Sequence, residues 1–380
     1  MWIKICGLST QAAVETAVKA GATHIGFVFA DSKRKVTPEY AKYLGKFVPK
    51  TVKKVGLFVN EDLTLVQDIV AKVGLDMVQL HGQESAEYAE QVGVPVIKAF
   101  GIKDGKLPDN ISEFKNQVIL LDAPPAQFAG GSGTSFDWQA LDLSALDGYQ
   151  FFVAGGLTPE NVGEAIRYFP TAYGVDISSG VETNGAKDLE KINHFIEKAS
   201  VAHSEDLLAE CLTIIRKLND YHIVPYLMGS LAVTLVAGFP TNPDDIDLQL
   251  RQADFQNFDL LTEVMASMGY QLIDLHEHKF SKGKILVGFA NVETLKKYAD
   301  VDYSELALGK NQADSSALFY LPNIAQQIKI YKAATQDSWR AGKPKDQLIL
   351  NQLKEQKCPT KTQTKPDSSA PTAAHSSRKR

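Results

Sequence analysis

The residues that could do chemistry together are a cysteine, an aspartate, an arginine and two glycine- or serine-rich turns. Cys6 sits in Lys4-Ile5-Cys6-Gly7-Leu8 and Asp122 in Leu120-Leu121-Asp122-Ala123, each closing a short apolar run. A cysteine acts as a base when nearby positive charge or helix N-termini favour its thiolate. An aspartate acts as an acid when burial or a neighbouring negative charge keeps it protonated. Residue type alone equally allows a buried small hydrophobe at Cys6 and a loop or cap carboxylate at Asp122. The turns are Ala154-Gly155-Gly156-Leu157 and Asp176-Ile177-Ser178-Ser179-Gly180. Glycine lets backbone N–H groups approach an anion closely, and a helix N-terminus adds favourable dipole charge. Singly, each reads as a tight turn; as a pair, they point to phosphate.

These groups need elements to hold them. Residues 1 to about 200 alternate between β-branched runs and helical patterns. The expected strands are Trp2–Cys6, His24–Phe29, Lys54–Val59, Met77–Leu80, Val96–Phe100, Val118–Leu121, Phe151–Ala154 and Ala172–Ile177. Helical patterns cover Thr10–Lys19, Leu63–Val73, Ser85–Gln91, Pro159–Tyr168 and Asp188–Lys198, while the connections after the fifth and sixth strands are weaker. Such alternation implies a parallel sheet. Eight units favour an α/β (β/α)8 TIM barrel over an open doubly wound sheet, and in that barrel catalytic groups sit at the C-terminal strand ends, with phosphate often held after strands seven and eight. Cys6 and Asp122 fall at strand ends, and the two turns follow strands seven and eight.

The chain has 380 residues and a formal charge of −5. Two domains are expected, and nucleic acid or an anionic membrane is not an expected partner. Nothing reads as a signal peptide or a membrane span. The cysteines at 6, 211 and 358 are too scattered for a disulfide framework or zinc cluster, which fits a reducing cytoplasm.

Six segments in order resemble the phosphoribosylanthranilate isomerase family over almost all of residues 1–200. They are Lys4-Ile5-Cys6-Gly7-Leu8, Gln79-Leu80-His81-Gly82, Leu121-Asp122, Gly130-Gly131-Ser132-Gly133-Thr134 with Phe136-Asp137-Trp138, Gly155-Gly156-Leu157-Thr158-Pro159-Glu160-Asn161-Val162, and Val175-Asp176-Ile177-Ser178-Ser179-Gly180-Val181-Glu182. The resemblance implies a compact barrel with a degenerate fifth helix. It also implies an isomerase of tryptophan biosynthesis that needs no metal or organic cofactor. The reaction would be the Amadori rearrangement of N-(5-phosphoribosyl)anthranilate to 1-(2-carboxyphenylamino)-1-deoxyribulose 5-phosphate. Asp122 would protonate the furanose oxygen and Cys6 would take the proton from sugar C2. Arg34 would pair with the anthranilate carboxylate, a task suited to a guanidinium. Asp176 would meet the substrate amine or sugar hydroxyls, and Gly155, Gly156, Ser178 and Ser179 would hold the phosphate. Lys33 stands where the family often has proline. His81 reads as a packing or hydrogen-bonding residue. Indole-glycerol-phosphate synthase uses a related barrel, but its lysine and glutamate chemistry does not match Cys6 and Asp122. A phosphate-binding sensor on the same barrel is the non-enzymatic alternative.

The pattern changes near Val201–Glu205. Residues 201–354 read as a smaller α+β domain, starting with a helix over Leu207–Leu218, and 355–380 as a disordered tail too poor in bulky apolar residues to fold. Within the second domain, Leu227-Met228-Gly229-Ser230 is followed by Asp244-Asp245-Ile246-Asp247-Leu248. On a strand Asp245 and Asp247 share a face. Together they could hold a Mg²⁺ that bridges nucleotide phosphates. The pattern resembles the polymerase-β-type nucleotidyltransferase superfamily. A third carboxylate often stands on a later strand in that superfamily. The natural segment, Lys284-Ile285-Leu286-Val287-Gly288-Phe289, has none, and Asp274 and Glu293 are only nearby substitutes. The domain is therefore expected to be either a nucleotidyltransferase or a degenerate binding module. His276-Glu277-His278 reads as polar surface alternating along a strand rather than a metal site.

Overall fold

The structure is a computed structural model that describes residues 1–103, 105–122, 141–309, 316–337 and 344–357. Eight parallel strands close into a barrel in sequence order: β1 (Trp2–Cys6), β2 (His24–Val28), β3 (Lys53–Phe58), β4 (Met77–Leu80), β5 (Val96–Gly101), β6 (Val118–Asp122), β7 (Phe151–Val153) and β8 (Gly174–Ile177). The closed barrel excludes the open sheet. Helices α1 (Gln11–Ala20), α2 (Pro38–Leu44), α3 (Leu63–Val73), α4 (Ala86–Gln91) and α5 (Val162–Tyr168) lie between strands. After β5 the crossover is a 3₁₀ turn over Asp109–Phe114, and the described part of the crossover after β6 ends in another at Leu143–Leu146. The weak helical patterns at these two places reflect that. The loop Gly130–Thr134 and Phe136–Trp138 lie outside the described residues.

Side chains alternate along each strand. One set fills the barrel interior with Val55, Met77, Ile97, Ala99, Leu120 and Phe152. The other packs outward against the helices. The same alternation carries Lys4 and Cys6 of β1, Gln79 of β4 and Asp122 of β6 inward above that apolar plug.

A single 32-residue helix, α6 (Leu189–Asp220), runs through the region where the pattern changes. The sequence reading of two helices with a break near Val201–Glu205 is therefore corrected. The residues there are Ala199, Ser200, Ala202, His203 and Ser204, all buried, with no glycine or proline. Ser204 Oγ donates back to the Ser200 carbonyl at 2.8 Å, so its hydroxyl is satisfied inside the helix. Bulky apolar spacing fades because the helix changes partner there, from α1 and α5 to the elements beyond it.

Those elements are β11 (Tyr226–Met228), α7 (Gly229–Ala237), β12 (Ile246–Leu250), α8 (Gln252–Gln256), α9 (Phe258–Ser267), β13 (Gln271–Asp274), β14 (Lys279–Lys282), β15 (Ile285–Asn291), α10 (Leu295–Ala299), β16 (Ala307–Leu308), β17 (Tyr320–Leu321), α11 (Ile324–Gln336) and α12 (Pro344–Lys357); between the barrel and α6 runs the hairpin β9 (Glu182–Thr183) and β10 (Ala186–Lys187). The second sheet has the order β13-β14-β15-β12-β11-β17-β16. It has its own core, centred on Leu227, Ile246, Leu248, Phe280, Val287 and Phe289. It meets the barrel at the N-terminal strand ends: Lys284 Nζ donates to the Ala172 carbonyl at 2.7 Å, and Asn242 reaches the Met1 carbonyl. Helix α12 continues to Lys357, into the stretch read as tail, because Leu353 is fully buried and the following residues favour helix. Residues 358–380 lie outside those described. Among the described residues no helix is long and apolar enough to cross a membrane.

If α6 is continuous, Val201→Pro removes an internal hydrogen bond and clashes with the preceding turn. It is expected to cost about 3 kcal/mol or more in denaturant unfolding. A loss of a few tenths would instead indicate a break at that position.

Candidate functional site

The C-terminal ends of the barrel strands bring together residues far apart in sequence. Cys6 ends β1 and Asp122 ends β6, three strands apart one way round the barrel and five the other. They face the mouth from opposite sides. Cys6 is 4% exposed. Burial pushes its thiol up, Lys4 and Lys187 pull against that, and Asp176 adds to the rise.

Lys4 was not singled out from sequence. It is completely buried, two residues before Cys6 on the same inward face, and its Nζ lies 2.8 Å from Asp176 Oδ1. Strands β1 and β8 pair in parallel with Lys4 opposite Asp176, so barrel register makes the contact. Burial opposes the Lys4 charge, but Asp176 and then Cys6 outweigh it, and its pKa lies above the ordinary lysine value. One Asp176 oxygen is thus committed to Lys4. Only the other is left for a ligand.

Asp122 lies beside His81, with Nε2 3.3 Å from Asp122 Oδ2 and both side chains 19% exposed. Gln79, two residues earlier on β4, places its amide 2.9 Å from His81 Nδ1. A His81 Nδ1 that accepts from the Gln79 amide leaves Nε2–H to donate to the carboxylate. His81 therefore stands in contact with the residue expected to act as acid.

Arg34 leaves the loop after β2, and Glu182 of β9 accepts from its Nε at 2.6 Å and its Nη2 at 3.1 Å. Glu182 also accepts from Lys187 at 3.0 Å. Burial opposes the Glu182 charge, but Arg34 and Lys187 more than offset it, and its pKa falls to about 2. Lys187 Nζ in turn donates to the Ser178 carbonyl at 2.6 Å. The sequence reading gave Glu182 and Lys187 no role. Glu182 was quoted within a motif, whereas nothing local marks Lys187, which becomes visible only when the hairpin folds back.

The two expected phosphate turns are adjacent, after neighbouring strands β7 and β8. Gly155 and Gly156 have φ of +74° and +70°, a backbone closed to most side chains. Asn161 fixes this loop, donating to the Gly156 carbonyl at 2.9 Å and accepting from Thr158 N–H at 2.7 Å. Helix α5 starts only at Val162, so any anion at Gly155 and Gly156 would meet loop N–H groups rather than that helix. Ser178 Oγ donates to the Cys6 carbonyl at 3.2 Å, tying this turn to the end of β1.

In the second unit, Asp247 lies on β12 between β11 and β15, opposite Met228 and Gly288. The alternation along β12 buries Ile246, Leu248 and Leu250 and leaves Asp245 and Asp247 half exposed on the other side. Gly229 begins α7 with φ +68°, and any side chain there would run into the Asp247 carboxylate. The Gly229-Ser230 turn and Asp247 are therefore in contact. Strand β15 presents Leu286, Gly288 and Ala290 on the Asp247 side, none acidic. Asp274 ends edge strand β13, two strands beyond β15, and Glu293 accepts from Gln252 N–H at 3.1 Å. Neither stands in for a third acid. His276-Glu277-His278 forms the turn between β13 and β14 rather than a strand, and His278 packs on Phe255 and Phe258. Among the described residues no group of three or more His, Cys, Asp or Glu is arranged to hold a metal.

Residues 3–198 match the family model described as N-(5'phosphoribosyl)anthranilate (PRA) isomerase. A protein of that name from Listeria welshimeri is 54% identical over 199 residues, covering 52% of this chain and 98% of its own length. Its namesake from Streptococcus gordonii is 51% identical over 196 residues, covering 52% and 96%. The crystal structure of phosphoribosyl anthranilate isomerase from Thermotoga maritima matches with a TM-score of 0.50 and 36% identity, over 53% of this chain and 99% of that one. The barrel, its motifs and these likenesses agree, and the chain belongs to the N-(5'-phosphoribosyl)anthranilate isomerase family.

Proposed function

We propose that residues 1–200 catalyse the Amadori rearrangement of N-(5-phosphoribosyl)anthranilate in tryptophan biosynthesis by acid–base chemistry. The observation that carries this reading is the opposition of Cys6 and Asp122 across one barrel mouth, with Arg34 and two adjacent anion-compatible turns around it. Asp122, protonated and beside His81, gives its proton to the furanose ring oxygen as the C1–O bond breaks, leaving an iminium and the Asp122 carboxylate. Cys6 as thiolate then takes the C2 proton, and the electrons move to give an enolamine that tautomerises to the ketone. The two groups serve different atoms and so need to stand apart. Arg34 meets the ring carboxylate. Gly155, Gly156, Ser178 and Ser179 hold the phosphate, and Asp176 contributes its second oxygen to the amine or a sugar hydroxyl. The chemistry asks for proton transfer and nothing else, so neither a metal nor an organic cofactor has a part in this mechanism. A cytoplasmic setting fits the buried free thiols of Cys6 and Cys211.

Complementation of an isomerase-deficient tryptophan auxotroph tests the reading directly. In purified protein without added metal, Cys6→Ala and Asp122→Asn are each expected to lower kcat by about 10²-fold or more, with a much smaller change in KM. Unchanged turnover in both would refute the mechanism. Lys4→Met removes the cation beside a buried thiol and so disfavours the thiolate. The Cys6 limb of the pH–rate profile, where activity rises with pH, is expected to move to higher pH.

For residues 201–354 we infer a nucleotide-binding module of nucleotidyltransferase-like form, degenerate as a catalyst. The contact of Asp247 with the Gly229-Ser230 turn supports binding, and the acid-free face of β15 argues against transfer. Two carboxylates suit Mg²⁺, which commonly takes one or two protein carboxylates together with phosphate oxygens. Asp245 and Asp247 would hold it. Calorimetry of the whole chain with Mg²⁺ and a nucleoside triphosphate is expected to show binding that Asp245→Asn with Asp247→Asn abolishes. No heat in the intact protein would reject the module.

A further inference from the structure

Glu182 opens β9, immediately after the turn at Ser178 and Ser179. Its carboxylate is only 6% exposed yet meets three cations. Oε1 takes Arg34 Nε at 2.6 Å and Lys187 Nζ at 3.0 Å, while Oε2 takes Arg34 Nη2 at 3.1 Å and Lys33 Nζ at 3.1 Å. A guanidinium has two donor edges, each able to grip one carboxylate through parallel hydrogen bonds. Glu182 occupies the Nε–Nη2 edge. The Nη1–Nη2 edge stays available, since among the described residues nothing but Glu182 accepts from the Arg34 guanidinium.

The Arg34 side chain is also held from below. A Cβ at Gly7 would stand 2.6 Å from Arg34 Cδ, so the chain just beyond Cys6 forms the bed on which the arginine lies. Lys187 anchors Glu182 to the Ser178 carbonyl, and Glu182 in turn ties the loop after β2, through Arg34, to the segment after β8. Arg34 is thus clamped on one edge by a carboxylate that is itself fixed, with its aliphatic stem lying on Gly7, the residue after Cys6.

We propose that Glu182 is a positioning residue that presents the open edge of Arg34 to an aromatic ring carboxylate, making the barrel selective for substrates that carry one. The proposal rests on the isomerase reading. Among the described residues the Glu182 carboxylate bonds to Arg34, Lys187 and Lys33, not to Cys6 or Asp122, so its effect falls on binding of the carboxylate rather than on proton transfer. The Glu182 carboxylate, held far below the ordinary glutamate range, keeps its charge over any working pH.

The test uses the full-length protein with Glu182→Gln and Glu182→Asp. The first removes the charge. The second keeps it but shortens the reach by one methylene, so that one carboxylate no longer spans both Arg34 and Lys187, and it guards against a folding failure of the first. Two inhibitors are compared: the reduced, ring-opened product analogue with the ring carboxylate, and the same phosphorylated compound with a bare phenyl ring. The wild type is expected to prefer the carboxylated compound by about tenfold or more. Either variant is expected to lose most of that preference and to raise KM by about tenfold while kcat stays within about threefold. A merely structural role would weaken both inhibitors alike and leave the ratio intact. Turnover by the wild type with an unchanged ratio in the folded variants overturns the positioning role alone. A wild type that turns over no substrate overturns the isomerase reading, and this proposal with it.

Discussion

The ion pair between Lys4 and Asp176 is the constraint on which the rest of the mouth depends. A buried lysine and a buried aspartate are each costly in isolation, and removing one partner from such a pair costs about 3–5 kcal/mol. Their contact is possible because β1 and β8 close the barrel with these two residues opposite one another. The barrel therefore has to close in this register before a polar layer can exist above its apolar plug. Once it exists, Lys4 supplies the positive charge next to Cys6. A thiol in that position without a cation would be an inert hydrophobe, the fate that burial alone dictates for Cys211, whose pKa is raised with no group opposing the rise.

A second ionic layer sits outside the first. Glu182 collects Arg34, Lys33 and Lys187, and Lys187 reaches the Ser178 carbonyl. Three cations around one carboxylate leave a net positive rim. Such a rim suits a substrate that carries both a phosphate and a carboxylate. The two layers differ in purpose. The inner one places a cation beside the Cys6 thiol, while the outer one fixes the Arg34 side chain and the turn at Ser178.

The sequence showed the barrel clearly because short apolar, β-branched runs and helical patterns alternate with little interruption. Cys6, Asp122 and the turns after β7 and β8 were legible because strand ends are where this fold puts chemistry, and because their segments resemble one family. What remained hidden depended on pairing across the chain. Lys4 is an isolated charge in an apolar strand until β8 is placed beside it, and Lys187 lies nine residues from the carbonyl it binds, across a hairpin with no strong signal. The break expected near Val201 failed for a related reason. Small buried residues in α6 mark a place where two units approach the same helix closely, which in the linear pattern looks like the end of an apolar stripe.

That shared helix decides how the two units can influence each other. The appended unit contacts the barrel where its strands begin, through Lys284 at Ala172 and Asn242 at Met1. Cys6 and Asp122 lie where the strands end. Among the described residues, the contacts of Lys284 and Asn242 join the appended unit to the floor of the barrel, away from Cys6 and Asp122. Influence between them would have to travel along α6 or through the strands themselves. The inner strands are held by backbone pairing on both sides and by a close-packed plug, which resists small displacements. Among the described residues, the second unit therefore meets the barrel on the face opposite Cys6 and Asp122, and each unit packs around a core of its own.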